Sequence, residues 1–172
     1  MLGIPVVVTH ADVVEVPLPG ETPERYARRL AREKARAVPG AYVLGADTIV
    51  VLDGQILEKP SDEDDALRML RQLQGRRHEV ISAVALVAEG QLYQAQDRTF
   101  VYFRPADDAF LRGYIRTGEP MDKAGAYGIQ GYGAALVERI EGDFFGVMGL
   151  PLRLVLDLLE RAGAPYRFPE GR

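Results

Sequence analysis

The 172-residue sequence contains no cysteine, no asparagine and no tryptophan. Without cysteine there is no disulfide framework, no thiolate nucleophile and no Cys-ligated zinc. Histidine is nearly absent as well. His10 and His78 offer neither metal-ligand spacing nor a triad partner, and His78 alternates within a strand pattern and reads as structural. Lysine occurs only at Lys34, Lys59 and Lys123 in an otherwise arginine-based cationic set. The loss of Asn and Cys fits a thermophile and GC-rich codon usage equally well. No apolar run approaches the ~20 residues of a membrane helix. The opening residues, MLGIPVVVTHADVVEV, lack the basic n-region and long apolar stretch of a signal peptide, so cytoplasm is the expected location. A net charge of -4 and a pI of about 5.3 argue against a nucleic-acid coat or a polybasic membrane binder, and neither nucleic acid nor membrane is an expected partner.

What remains is an ordinary globular composition, 47% hydrophobic and 27% charged, enough for one domain or two small lobes sharing a core. Gly3 to Val8 includes a short strand-like apolar run. Thr22 followed by Pro23 reads as an N-cap and N1 proline, opening a helix that runs to Val38 with Tyr26, Leu30, Lys34 and Ala37 at helical spacing. Tyr42 to Leu52 is a β-branched strand ending in an Asp53-Gly54 hairpin turn. A second helix begins at Ser61, its first turn acidic as the helix dipole favours, and Gly75 closes it. Next come two strands, Glu79 to Ala88 and Leu92 to Arg104, joined at Glu89-Gly90. Asp107 to Thr117 is helical. Ala135 to Ile140 and Phe144 to Met148 read as strands, Leu150 to Ala162 as an apolar helix, and the tail as frayed. Interleaved helices and strands predict an α/β fold with a mixed sheet.

Four places can carry chemistry. Asp47, in GADTIV, interrupts an apolar strand. A carboxylate there suits a divalent metal or an oriented water, and equally a local backbone cap. Lys59, in LEKPS, lies just ahead of a helix N-terminus, where a lysine can meet phosphate oxygens; alone it reads as a solvated loop residue. Lys34 alone reads as a partner of a helix C-terminus, and Glu15 as one charge in an acidic loop with Asp12 and Glu21. The segment Gly118 to Gly133 is too glycine-dense for a regular element and favours close backbone approach to a ligand. It interleaves Asp122, Lys123, Tyr127 and Gln130, whose amide can read a base edge. An ionisable set of carboxylates and lysines suits metal-assisted phosphoryl chemistry and not acyl transfer.

The segments PGETPERYARRLAREKA, GADTIVVLDGQILEKP, ALRMLRQLQGRRHEV, TGEPMDKAGAYGIQGYGA and IEGDFFGVMGLPL resemble, in order and spacing, the Maf family of nucleoside triphosphate pyrophosphatases. The resemblance runs from near residue 2 to about residue 160. It implies one Maf-like domain over residues 1–172 with a Maf/inosine-triphosphatase-like fold: an elongated mixed sheet, two lobes and a central cleft, often as a homodimer. It implies hydrolysis of a pyrimidine nucleoside triphosphate, dTTP or UTP and including modified nucleotides, to the monophosphate and pyrophosphate. The cofactor would be a divalent cation, Mg2+ or Mn2+. Asp47 would be the proton acceptor for the attacking water and, with Glu15, a metal ligand. Glu15, Lys34 and Lys59 would hold metal, triphosphate or water, and Asp122 and Lys123 would complete the pocket. Thr48 and Gln130 match the dTTP/UTP subgroup.

One departure stands out. Family members begin with a strand, a Ser-x-Ser-Pro-Arg-Arg loop that binds triphosphate, and a helix. This chain opens instead at a stretch that resembles the part of the family just after that helix. A translation start placed too late and a truncated member both fit, and the intact downstream motifs favour the first. As written, the chain is expected to show poor activity and an exposed apolar sheet edge. The alternative reading is a non-catalytic nucleotide-binding or regulatory protein, such as a cell-division inhibitor.

Overall fold

The computed structural model describes residues 2–169. Helix α1 (Pro23–Ala37) starts where Thr22 Oγ1 accepts the amide of Arg25, with proline in the first turn. Tyr26, Ala27, Leu30, Ala31 and Ala35 form its buried stripe. Strand β1 (Tyr42–Leu52) comes next and turns through Asp53 and Gly54, both at positive φ, into the short strand β2 (Gln55–Leu57). Consecutive left-handed residues are what a tight two-residue hairpin requires. Helix α2 (Glu63–Leu73) is capped by the Asp62 carboxylate, which accepts the Asp65 amide at 2.8 Å. Strands β3 (Arg77–Ala88) and β4 (Gln91–Phe103) form a long hairpin. Helix α3 (Asp108–Ile115), three 3-10 turns between Glu119 and Leu136, strand β5 (Val137–Glu141), and helices α4 (Phe144–Val147) and α5 (Leu152–Arg161) complete the order.

The sheet runs β2-β1-β3-β4-β5, and every pairing among the described residues is antiparallel. The expected mixed sheet is therefore corrected. Interleaved helices predict parallel neighbours when each helix carries the chain to an adjacent strand. Here β2 reverses direction first, so the α2 crossover joins β2 to β3 with β1 lying between them. The strand expected at Phe144–Met148 is also corrected: it is helix α4, whose first amides, Phe145 and Gly146, are both taken by the Asp143 carboxylate. Five apolar residues carry too little periodicity to separate the two forms, and the aspartate cap decides it. The Gly3 to Val8 run is not a strand either. It is irregular and mostly exposed, because no strand edge pairs with it. Residues 164–169 are irregular, and residues 170–172 of the tail read as frayed lie outside the described residues.

Strand alternation assigns the two sheet faces. Ile49 and Val51 of β1 and Ile81, Ala83 and Ala85 of β3 pack on α1. On the opposite face Val50, Leu52 and Val80 join α2, α3 and the 3-10 segment in one cluster, while Val84, Leu86 and Ala88 join α5 in another. Between those two clusters, β1 and β3 set Thr48 opposite Ser82. Pairing of β1 with β2 covers only Val50 to Leu52. The outer edge of β1 from Tyr42 to Ile49 has no strand neighbour among the described residues.

Helix α1 lies so close to β1 that a Cβ built on Gly45 would sit 2.3 Å from the Ala31 carbonyl oxygen and 2.5 Å from the Ala35 nitrogen. Both are backbone atoms and cannot rotate away. Gly45→Ala should therefore lift α1 off the sheet and cost about 2–3 kcal/mol, the upper range for an overpacked core. Denaturant unfolding measures it, and an unchanged midpoint would show that α1 docks less tightly than its backbone contacts state.

Candidate active site

Tyr26, Leu30 and Lys34 recur at four-residue intervals on α1 and so share one helix face. That face leans on β1 where Asp47 emerges on the same side as Ile49. The result is a short ion-pair chain: Lys34 Nζ lies 2.7 Å from Asp47 Oδ1 and 2.6 Å from Glu15 Oε1. Asp47 is buried, whereas the Glu15 side chain is 39% exposed. The other Asp47 oxygen, Oδ2, is buried with no partner. Unpartnered buried oxygens are uncommon and call for an explanation.

Burial pushes the Asp47 carboxyl above its usual range, more than the neighbouring Lys34 and Lys59 ammonium groups lower it. For Glu15, burial works in the same direction, but the Lys34 hydrogen bond and the charges of Lys34, Lys59 and His10 outweigh it and the net shift is downward. Burial also opposes the charge on Lys34, yet Asp47 and Glu15 together raise its pKa. Two carboxylates sharing one ammonium thus differ in proton affinity, and the buried one is the better base.

Thr48, the next residue along β1, points to the opposite sheet face. Its Oγ1 lies 2.6 Å from Ser82 Oγ, and the Ser82 hydroxyl donates to the Gly146 carbonyl at 2.6 Å. The glycine-dense segment closes over this side. Gly125 has φ +66°, and a Cβ there would sit 2.9 Å from the Val50 side chain, so only glycine permits that approach. The Gly125 amide donates to the Glu58 carbonyl at 3.1 Å. Glu119 holds the loop's shape by accepting the Tyr132 and Gly133 amides at 2.9 Å each and the Tyr114 hydroxyl at 3.0 Å. Lys123 donates to Asp122 at 2.6 Å and to the Glu119 carbonyl at 3.0 Å.

A single cavity of about 320 Å³ wraps the open edge of β1 and joins both sides. Glu15, Lys34, Asp47 and Lys59 line its α1 side, and Thr48, Asp122, Lys123 and Gln130 line it as well. Every site residue expected from the sequence is thereby brought to one cavity, although Lys34 and Asp47 are thirteen residues apart. His78 is not there. It is buried between Phe103 and Tyr127, with Nε2 2.7 Å from the Tyr127 hydroxyl.

Sequence reasoning passed over Glu58, Tyr26 and Ser82. Glu58 also lines the cavity, and burial raises its carboxyl pKa. Its position beside Lys59 was the available signal, since both leave the end of β2 at the same rim. Tyr26 was read only as core spacing. Ser82 is a hydroxyl within the apolar run VISAVALVA, which is the signal that a polar partner faces it.

No three histidine or acidic residues gather as a ready-made metal cage among the described residues. A smaller hard cation needs less, because it is commonly held by one or two carboxylates completed by substrate phosphates. The partnerless Oδ2 of Asp47 and the half-exposed Glu15 carboxylate fit that pattern. No described helix is long and apolar enough to cross a membrane.

The family model described as "Maf-like protein" matches residues 1–162. A protein of Anaeromyxobacter dehalogenans named dTTP/UTP pyrophosphatase is 52% identical over 168 residues, covering 95% of this chain and 87% of its own. A protein of the same name from Symbiobacterium thermophilum is 48% identical over the same shares. Another from Koribacter versatilis is 51% identical over 160 residues, 91% of this chain and 83% of its own.

Proposed function

The chain belongs to the Maf family, and from that premise we infer that it hydrolyses dTTP and UTP to the nucleoside monophosphate and pyrophosphate. The observation that carries the reading is the partnerless Oδ2 of a buried, raised-pKa Asp47 beside Lys34, in a cavity that also reaches Thr48 and Gln130. The α1 side takes the triphosphate and the other side takes the base. The division rests on strand alternation, which sends Asp47 and Thr48 to opposite faces.

Asp47 Oδ2 accepts a hydrogen bond from the attacking water and takes its proton as the oxygen bonds to the α-phosphorus. The bond from the α-phosphorus to the bridging oxygen breaks, and that oxygen leaves with pyrophosphate. Lys34, held against Asp47 Oδ1, keeps the carboxylate oriented and sets a positive charge next to the developing phosphoryl charge. Lys59 supplies a second charge from the rim beyond β2. Glu15 and Asp47 are the carboxylates that would hold a divalent cation, which when bound neutralises charge on the phosphate oxygens. Tyr26, buried below, excludes bulk water from the base. The two apolar clusters that flank the Thr48–Ser82 pair support the two-lobed form of the fold, with the cleft at their seam.

Incubation with dTTP or UTP and Mg2+ should release pyrophosphate and the monophosphate. Orthophosphate with the diphosphate would overturn the assigned bond. Nucleotide binding without turnover would favour the non-catalytic alternative. Treatment with EDTA should reduce turnover to background while leaving the circular dichroism spectrum and melting temperature unchanged, and Mg2+ should restore it. Undiminished turnover after chelation would remove the cation from the proposal.

A further inference from the structure

The hydroxyls of Thr48 and Ser82 face each other across β1 and β3, 2.6 Å apart. Ser82 Oγ also lies 2.6 Å from the Gly146 carbonyl oxygen. A carbonyl only accepts, so the one Ser82 proton goes to Gly146. The proton in the Thr48–Ser82 bond must then come from Thr48. What Thr48 has left for the cavity is lone pairs.

We propose that Ser82 is a specificity-positioning residue that locks the Thr48 hydroxyl as an acceptor, so that the cavity selects a pyrimidine carrying a ring N–H. Thymine and uracil carry one at N3; cytosine presents a bare N3 acceptor there, which would face a second acceptor. The proposal rests on the reading of Thr48 as part of the base side, and it adds the chemical reason for which pyrimidines fit.

The lock is rigid because each part is anchored. Ser82 is 1% exposed, so no water competes for its proton. The Gly146 carbonyl belongs to α4, whose Asp143 cap accepts the Phe145 and Gly146 amides at 2.8 and 3.1 Å. The Asp143 amide donates to Thr99 Oγ1 at 2.7 Å, and Thr99 donates to Asp97 Oδ2 at 2.8 Å. The Gly146 carbonyl that takes the Ser82 proton is thus held in place by bonds reaching strand β4. A site whose buried polar groups are committed in this way rejects a mismatched ligand more strongly than one whose hydroxyl can turn.

Calorimetric titration of the unaltered protein with α,β-methylene-UTP, its cytidine counterpart and its 3-methyluridine counterpart tests this without turnover. The uridine analogue should bind at least about tenfold more tightly than either other ligand, the margin of a lost or opposed hydrogen bond. Equal affinities, or no binding of the uridine analogue, would overturn the proposal. Ser82→Ala frees the Thr48 proton and should bring the uridine-to-cytidine ratio toward one. A purely structural role would weaken both ligands together and keep their ratio, which would also overturn it. Pyrophosphate release from UTP with equal uridine and cytidine binding defeats this inference alone; selective binding with no pyrophosphate release defeats the catalytic reading alone.

Discussion

Replacing Asp47 with Asn should lower kcat for dTTP about 10²- to 10⁴-fold, the span attributed to a positioned general base, and leave the protein folded. Asparagine keeps an oxygen for Lys34, which in any case retains Glu15 at 2.6 Å. What is lost is proton affinity at Oδ2. The stability sign is opposite to that of most ion-paired aspartates. Burial raises the folded pKa of Asp47, so its contribution to stability is full below the unfolded value and disappears as pH rises through the folded one. At neutral pH the charged carboxylate is therefore a burden on the fold, and the Asn variant should melt at the same temperature or slightly higher. The same shift shapes the activity profile: the acid limb of kcat should fall at a pH above the ordinary carboxylate range, as Asp47 takes up a proton. Steady-state kinetics with a pH series and one melting curve measure all of this. An unaltered kcat would exclude Asp47 as the base, and a collapse in melting temperature would make it a structural residue instead.

The α1 stripe and its cap were legible because local signals agree: Thr22-Pro23 at the start, and Tyr26, Leu30 and Lys34 on one face. Strand β1 was legible for the same reason, and Asp47 drew attention because a charge inside an apolar strand needs a compensating partner. That partner was not legible locally. Lys34 near a helix C-terminus already has an adequate explanation in the dipole, and Glu15 in an irregular segment has no periodicity to reveal which way it points. Only docking of α1 on β1 at the Gly45 contact brings the three groups together. The family resemblance supplied what local reasoning could not.

Two of the three errors in the fold have the same origin. Strand direction depends on which strand each connection returns to, and a three-residue strand such as β2 is enough to reverse the sense of every later strand. Phe144 to Met148 is too short for periodicity to decide, and the Asp143 cap that decides it is itself fixed by Thr99, 44 residues away. Ser82 belongs to the same class. Nothing in its own strand states its purpose, which exists only in the register that sets it against Thr48.

The second large effect lies away from the cavity. His78 is 2% exposed and packed edge-on against Phe103 and Tyr127, and burial lowers its pKa to about 3. Unfolded histidine titrates near 6.5, so between those values the unfolded chain binds a proton that the native chain refuses. Stability is therefore fully present above about pH 6.5 and is lost as pH falls toward 3. By linkage the loss from this one ring should reach roughly 2–3 kcal/mol by about pH 4.5, a large part of a typical domain's stability. Carboxyls held low by their partners, among them Glu15, Glu21, Glu24 and Glu119, lose stability with the same sign, but only as pH nears the ordinary carboxylate value of 4.5 at which the unfolded chain takes up their protons. Asp47 and Glu58, both raised, change with the opposite sign, so the histidine acts most nearly alone between about pH 6.5 and about pH 5.5. His78→Gln keeps an acceptor for the Tyr127 hydroxyl but cannot be protonated. Its unfolding free energy should be nearly flat from about pH 6.5 to about 5.5, while that of the unaltered protein declines, and at lower pH, where the lowered carboxyls affect both proteins alike, the variant should lose less than the unaltered protein. Parallel curves for the two proteins would mean that the buried ring is hydrated or open in solution, and that acid sensitivity arises elsewhere.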